Sequence, residues 1–267
     1  MENQPAPWDM LYKNLFVSNN TFTILSDGFD ILLANVERLV KDANLLKDTD
    51  GYMTASFLGS TAREEMAKVH ILIDACRLNF SRHESVLKRL CRAYYSHIAK
   101  YAYYNVLSLP RLGNMEEVKE MWENDVKKWW PSAPESGEPD MPHDTKYLRE
   151  MPLYVDYSDW DGCWYSPQRE NGSLHKSARL YSIKCAEEEL ALFRITHNAG
   201  LYKEESLSII NEIYMKQYVN ENTKMERIYS LYGNVANQIE KRLAIPKEKF
   251  INSFITKWPL YPFVENF

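Results

Sequence analysis

Between His83 and Tyr104 the chain gathers Lys88, Arg89, Arg92, His97 and Lys100, interleaved with Tyr94, Tyr95, Tyr101, Tyr103 and Tyr104. Cations of this kind hold phosphates, and tyrosine rings stack bases, which together make up a common single-strand nucleic-acid site. The same residues also describe a solvated basic helix with a tyrosine packing face, and the pattern alone leaves both readings open. A second group lies upstream in Ser60–Leu78, STAREEMAKVHILIDACRL, where Glu64 and Lys68 stand one helical turn apart and can pair. Ala62, Ala67, Ile71 and Ala75 would line the apolar face of that helix.

Other chemistries are excluded by spacing. The chain has no P-loop, no G-x-G-x-x-G and no H-E-x-x-H. Di-iron bundles need Glu-x-x-His pairs, and no histidine here has a glutamate three residues before it. Cys76, Cys91, Cys163 and Cys185 show no C-x-x-C spacing, so buried free thiols are expected rather than zinc ligands or disulfides. Acid–base chemistry without a metal or cofactor, or no chemistry, remains.

The elements that would position these groups read as helices. Ile31, Leu32, Val36, Leu39, Val40, Ala43 and Leu46 recur at helical spacing after a polar N-terminal arm, and Asp48 to Gly51 interrupt them. A second helix is predicted over about 53–80, and a third, carrying the cations and tyrosines, over about 85–107, ahead of Pro110. Another spans Glu116 to Trp130. Residues 131–172 differ in kind, with Pro131, Pro134, Pro139, Pro142, Pro152 and Pro167 ruling out a long helix. There Leu153–Tyr157 has strand composition and Asp161-Gly162 supplies a turn, which predicts a short β-hairpin. Helical pattern returns over 174–197, 204–219, 223–243 and 246–255. The predicted fold class is all-α, a single domain over 1–267 with a core at about 30–130, an irregular insertion at 131–172 and C-terminal helices over 173–267.

Composition agrees with an ordinary globular protein: 267 residues, 45% hydrophobic and 26% charged, suffice for a substantial core. A net charge of −5 argues against general electrostatic binding of nucleic acid, so any RNA contact must be focal. No apolar run is long enough to cross a bilayer, and the beginning, MENQPAPWDM, lacks the layout of a secretion signal. A cytoplasmic protein with no membrane partner is expected.

Arg92-x4-His97 resembles the R-x(4–6)-H signature of HEPN-domain ribonucleases, although Arg63–His70, Arg77–His83 and Arg169–His175 match it too. The order of motifs is more specific. The Ala34–Leu45 helix, then Glu64, Glu65 and Lys68 as E-E-x-x-K, then His97 and Lys100 as H-x-x-K, resembles the AbiV family of abortive-infection proteins. Leu153–Tyr157 followed by Trp164 and Ser166-Pro167 is similar to that family's insertion. The resemblance covers roughly residues 30–170; Ala99 stands where some HEPN toxins carry a tyrosine two positions after the histidine.

That resemblance implies a HEPN-like bundle and antiphage defence by metal-independent RNA cleavage, which releases a 2′,3′-cyclic phosphate. It implies Arg92, His97 and Glu65 as catalytic residues, with Glu64, Lys68, Arg89, Tyr95 and Lys100 binding RNA or supporting the site. Imidazole, with an ordinary pKa of about 6.5, suits the proton transfer, and a guanidinium suits the charge that develops on phosphorus. Residues five apart on a straight helix point about 140° apart at roughly 100° per residue. Arg92 and His97 therefore converge only through long side chains, a helix distortion or a second subunit, and a homodimer with facing third helices is expected. Glu64, Glu65 and Lys68 could equally form an interhelix salt bridge that fixes register, and Asp74, further along the same helix, is a supporting candidate of the same type. The rival class is a non-catalytic protein, triggered by a phage-encoded activator, that binds the translation machinery. Its docking anchors would be Trp122, Trp129, Trp130, Trp160 and Trp164.

Overall fold

The computed structural model describes residues 5–108, 114–126, 156–158, 163–165, 176–253, 255 and 258–266. The start of the chain, expected to be a polar arm, forms a helix, α1 (Pro7–Phe16). Proline at its start fits the first turn, and Tyr12, Leu15 and Phe16 bury one face. Phe16 packs on Phe80 with ring centroids 5.4 Å apart. Thr21 Oγ1 donates to the Leu15 carbonyl at 2.6 Å and closes the turn into α2 (Thr21–Leu46).

Helix α3 (Tyr52–Cys76) is the centre of the bundle, in contact with α2, α4 (Glu84–Tyr95), α5 (His97–Ser108) and α7 (Lys176–Asn198). It was expected to be amphipathic with an alanine-lined face. Instead it is buried on nearly all sides, as a helix surrounded by helices must be, and it carries Arg63, Glu64, His70 and Asp74 into the interior. The small residues allow this: a Cβ on Gly59 would come 2.9 Å from the Ile183 backbone nitrogen of α7. Beside it, Ser182 Oγ donates to the Ser56 carbonyl at 3.1 Å.

The predicted third helix is two helices. It breaks at Ser96, between α4 and α5, because Ser96 is extended, with ψ 122°. Helix α6 (Met115–Val126) packs against α5, where Trp122 is buried edge-on to Tyr103 at 5.3 Å. Trp122 is thus a core residue and not a docking anchor. Strands β1 (Asp156–Ser158) and β2 (Cys163–Tyr165) pair antiparallel with Tyr157 opposite Trp164. The hairpin therefore sits where the insertion was expected to hold one, with its first strand starting three residues later than LYVDY; Trp129, Trp130 and Trp160 lie outside the described residues. After α7 come α8 (Glu204–Tyr214), α9 (Met225–Leu243), α10 (Lys247–Ile251) and a 3₁₀ helix (Tyr261–Asn266). Several ends fall short of the predicted spans: α3 stops at Cys76, α8 at Tyr214 and α10 at Ile251.

One hydrophobic cluster runs from Tyr12 to Val264. A polar knot is buried in it. Asp74 accepts from Arg77 Nη1 at 2.6 Å, Tyr103 Oη at 3.0 Å, and the Leu260 and Tyr261 amides at 2.7 and 2.9 Å. Arg77 Nη2 also donates to the Ile255 carbonyl. Asp74 is therefore not a support for the histidine site; it ties α3 to α5 and to the C-terminal segment. Cys76, Cys91 and Cys185 are free thiols.

Candidate active site

The break at Ser96 sets up this region. Its amide bonds back to the Arg92 and Ala93 carbonyls, both at 3.1 Å, and ends α4. Its hydroxyl then accepts from the Ala99 amide at 3.2 Å and its carbonyl from the Lys100 amide at 3.1 Å, so Ser96 caps α5. His97 is consequently the first residue of α5, and Lys100 lies on the same face one turn on.

Both reach back to α3. His97 Nδ1 is 2.7 Å from Glu64 Oε2, and Lys100 Nζ is 3.0 Å from the same oxygen. Glu64 and Lys100 are buried, whereas the His97 side chain is 47% exposed. A carboxylate oxygen can only accept, so the proton of this bond is assigned to Nδ1, and Glu64 does not engage the ring's other nitrogen, Nε2.

A second cluster adjoins it. Glu65 accepts from Lys68 Nζ at 2.6 Å and from Asn35 Nδ2 of α2 at 3.3 Å, and Arg38 Nη2 donates to Asn35 Oδ1 at 2.9 Å. The Lys68 ammonium lies 5.1 Å from the centre of the Tyr94 ring, which meets Tyr95 edge-on at 5.4 Å. Burial, followed by the neighbouring Glu65 charge, pushes the Tyr94 hydroxyl up to about 12.

These contacts reassign the acidic pair. The expected Glu64–Lys68 bridge is a Glu65–Lys68 bridge, because Glu64 turns toward α5. Glu65, expected to be catalytic, faces Lys68 and Asn35, and Glu64 is the carboxylate that meets His97. Lys100 is likewise engaged inside the bundle rather than at the surface. Arg92 and Tyr95 are exposed, and Arg89 is half-buried. Among the described residues no hydrogen bond or ion pair joins Arg92 to His97. The chain does break between them, at Ser96, which is one of the three arrangements their spacing left open.

The structure also sorts the alternatives. Arg63 is buried, bridged to Glu189 at 3.2 Å and stacked 3.9 Å from the Tyr104 ring, and His70 is buried as well. Arg77 is committed to Asp74, and His83 accepts the Asn79 amide at 3.0 Å, with burial holding its pKa below the usual imidazole value. Arg169 and His175 lie outside the described residues. Of the described Arg–His pairs, only Arg92 and His97 are both exposed. Tyr103 and Tyr104 are core residues, Tyr101 packs edge-on against Tyr104, and Tyr94 and Tyr95 pair with each other at the end of α4. Asn35 and Ser96 were missed in the sequence, although Ser96 precedes a helical turn as a capping residue would.

A cleft of about 250 Å³ lies between α3, α5 and α7, lined by Met66, His70, Tyr104, Tyr181, Cys185 and Leu192; His97 is not part of it. No group of three or more His, Cys, Asp or Glu able to hold a metal ion occurs among the described residues. None of the described helices is long and apolar enough to cross a membrane.

A family model described as AbiV matches residues 24–173, more than half of the chain. The protein belongs to the AbiV family. Membership makes it a HEPN-type abortive-infection protein, and the matched span takes in α3, α4 and α5 with every residue of the two clusters. No curated protein and no solved structure gives a match. The C-terminal helices beyond residue 173 lie outside the family match but pack on its core, α7 against α2 and α3.

Proposed function

We propose that this AbiV-family protein defends a cell against phage as a latent endoribonuclease of the cytoplasm, and that His97 is its proton-transfer group. The observation that carries the reading is the half-exposed His97 imidazole, fixed through Nδ1 to a buried carboxylate so that Nε2 is the nitrogen available to substrate. Nε2 takes the proton of a ribose 2′-hydroxyl as that oxygen bonds to phosphorus. The P–O5′ bond breaks, the leaving oxygen takes its proton from water, and the imidazolium formed at His97 returns its proton to solvent. The products are a 2′,3′-cyclic phosphate and a 5′-hydroxyl. Arg92, exposed near the end of α4, supplies a fixed positive charge to the phosphorane-like transition state. Activity requires a homodimer with the α4–α5 junctions facing, and a phage-encoded activator releases the latent state. The target is RNA of the translation machinery.

Incubating purified protein with total RNA, with and without infected-cell extract, tests this. New ends bearing cyclic phosphate are expected from the wild type, and at least about 100-fold fewer from His97→Ala, the usual scale of general acid–base catalysis. Equal cleavage by the two proteins, or protection of infected cells by both with RNA left intact, overturns it.

A further inference from the structure

We infer that Lys100 is a positioning residue: its charge sets the form in which His97 meets its substrate. The inference rests on His97 being the proton-transfer group. Its basis is that one oxygen, Glu64 Oε2, receives both His97 Nδ1 at 2.7 Å and Lys100 Nζ at 3.0 Å. The Glu64 and Lys100 side chains are each only 6% exposed, so water screens their pairing little. A lone buried carboxylate against an imidazole favours the imidazolium, in which both nitrogens are protonated and neither can accept. With the ammonium on the same oxygen, the support beneath the ring carries no net charge. Glu64 then orients the imidazole through Nδ1 and leaves the Nε2 lone pair free. The other charges on the packed elements do not undo this balance: Glu65 and Lys68 on α3 pair at 2.6 Å, Arg63 on α3 pairs with Glu189 of α7 at 3.2 Å, and Arg92 on α4 is a cation that opposes a second one on the ring.

Nitrogen-15 NMR of histidine-labelled protein at neutral pH reads the protonation state directly, with the His97 signals identified by their loss in His97→Ala. The wild type is expected to show one pyrrole-like and one pyridine-like nitrogen. Lys100→Met is expected to lose the pyridine-like signal and to shift the low-pH limb of its cleavage profile to higher pH. Lys100→Arg keeps the wild-type pattern, and combining Lys100→Met with Glu64→Gln restores the pyridine-like signal by removing both charges. Two protonated nitrogens in the wild type, or Lys100→Met indistinguishable from wild type, overturns the inference. If Lys100→Met fails to fold, the wild type and the charge-balanced double variant still decide. The NMR signature needs no RNA, so absent cleavage beside the expected signature counts against the ribonuclease reading alone, and cleavage without the signature against Lys100 alone.

Discussion

At the scale of single residues, the chain uses similar ion pairs for different ends according to burial. Glu64 is buried and serves two partners, whereas Asp30 at the surface gathers His197 Nε2 at 2.6 Å and Lys203 Nζ at 3.0 Å to clamp α2 to the end of α7. The hydrogen bond from His197, and then Lys203, holds the Asp30 carboxyl below the usual carboxylate range. A depressed acid stabilises the fold above its unfolded pKa, and that contribution fades as pH falls through the folded value. Asp30→Asn should therefore cost a few tenths of a kcal/mol to about 1 kcal/mol near pH 6, discounted because the side chain is 45% exposed. In thermal unfolding, the gap to wild type should close below about pH 4. A gap that persists once the carboxyl is protonated in both folded and unfolded chains would mean that packing, not the ion pair, accounts for it.

At the scale of elements, close approach and one helix break decide the arrangement. Gly59→Ala would ordinarily favour a helix by up to about 1 kcal/mol. Here the new Cβ would stand 2.9 Å from the Ile183 backbone of α7, which cannot swing aside. Net destabilisation of about 1–3 kcal/mol is expected in urea unfolding, and a stabilised variant would show that the helices separate freely. Helix positions were largely legible in the sequence, because Leu32, Val36, Leu39, Val40 and Ala43 keep a helical period, although Ile31, counted with them, is exposed and α2 begins earlier, at Thr21. The break at Ser96 was not legible, since RAYYSHIAKY continues the same period across it. Nor was the choice between Glu64 and Glu65: adjacent residues on a helix differ by about 100°, and which one faces α5 depends on a crossing that sequence periodicity does not contain. Helix α1 was hidden by its polar neighbours, although Leu11, Tyr12 and Leu15 carry the signal.

At the scale of the whole molecule, distant parts of the chain meet at Asp74. Asp74→Asn leaves the Arg77 guanidinium buried against an uncharged partner. A loss of about 3–5 kcal/mol is expected, the usual consequence of breaking a buried pair from one side. The exposed Arg38–Asp42 pair, with side chains 60% and 42% exposed, serves as the control and should change stability by less than about 1 kcal/mol when broken. Comparing the denaturation midpoints of the two variants checks both, and equal losses would mean that Asp74 is better hydrated than its burial indicates. The family match ends at residue 173, yet Leu260 and Tyr261 complete the shell around this acid. The C-terminal segment therefore packs into the matched core and completes it at this point.

The Asp74 knot also gives the protein a timetable. The acid enters the chain 186 residues before the Leu260 amide that caps it, so its full set of donors exists only after those later residues have been synthesised. Closing so long a loop has a large entropic cost that the bond must offset. Tyr103 of α5 bonds to the same acid, so the late amides complete a shell to which the helix beginning with His97 already contributes. A nascent chain that has not reached residue 260 thus carries Asp74 without its two backbone donors.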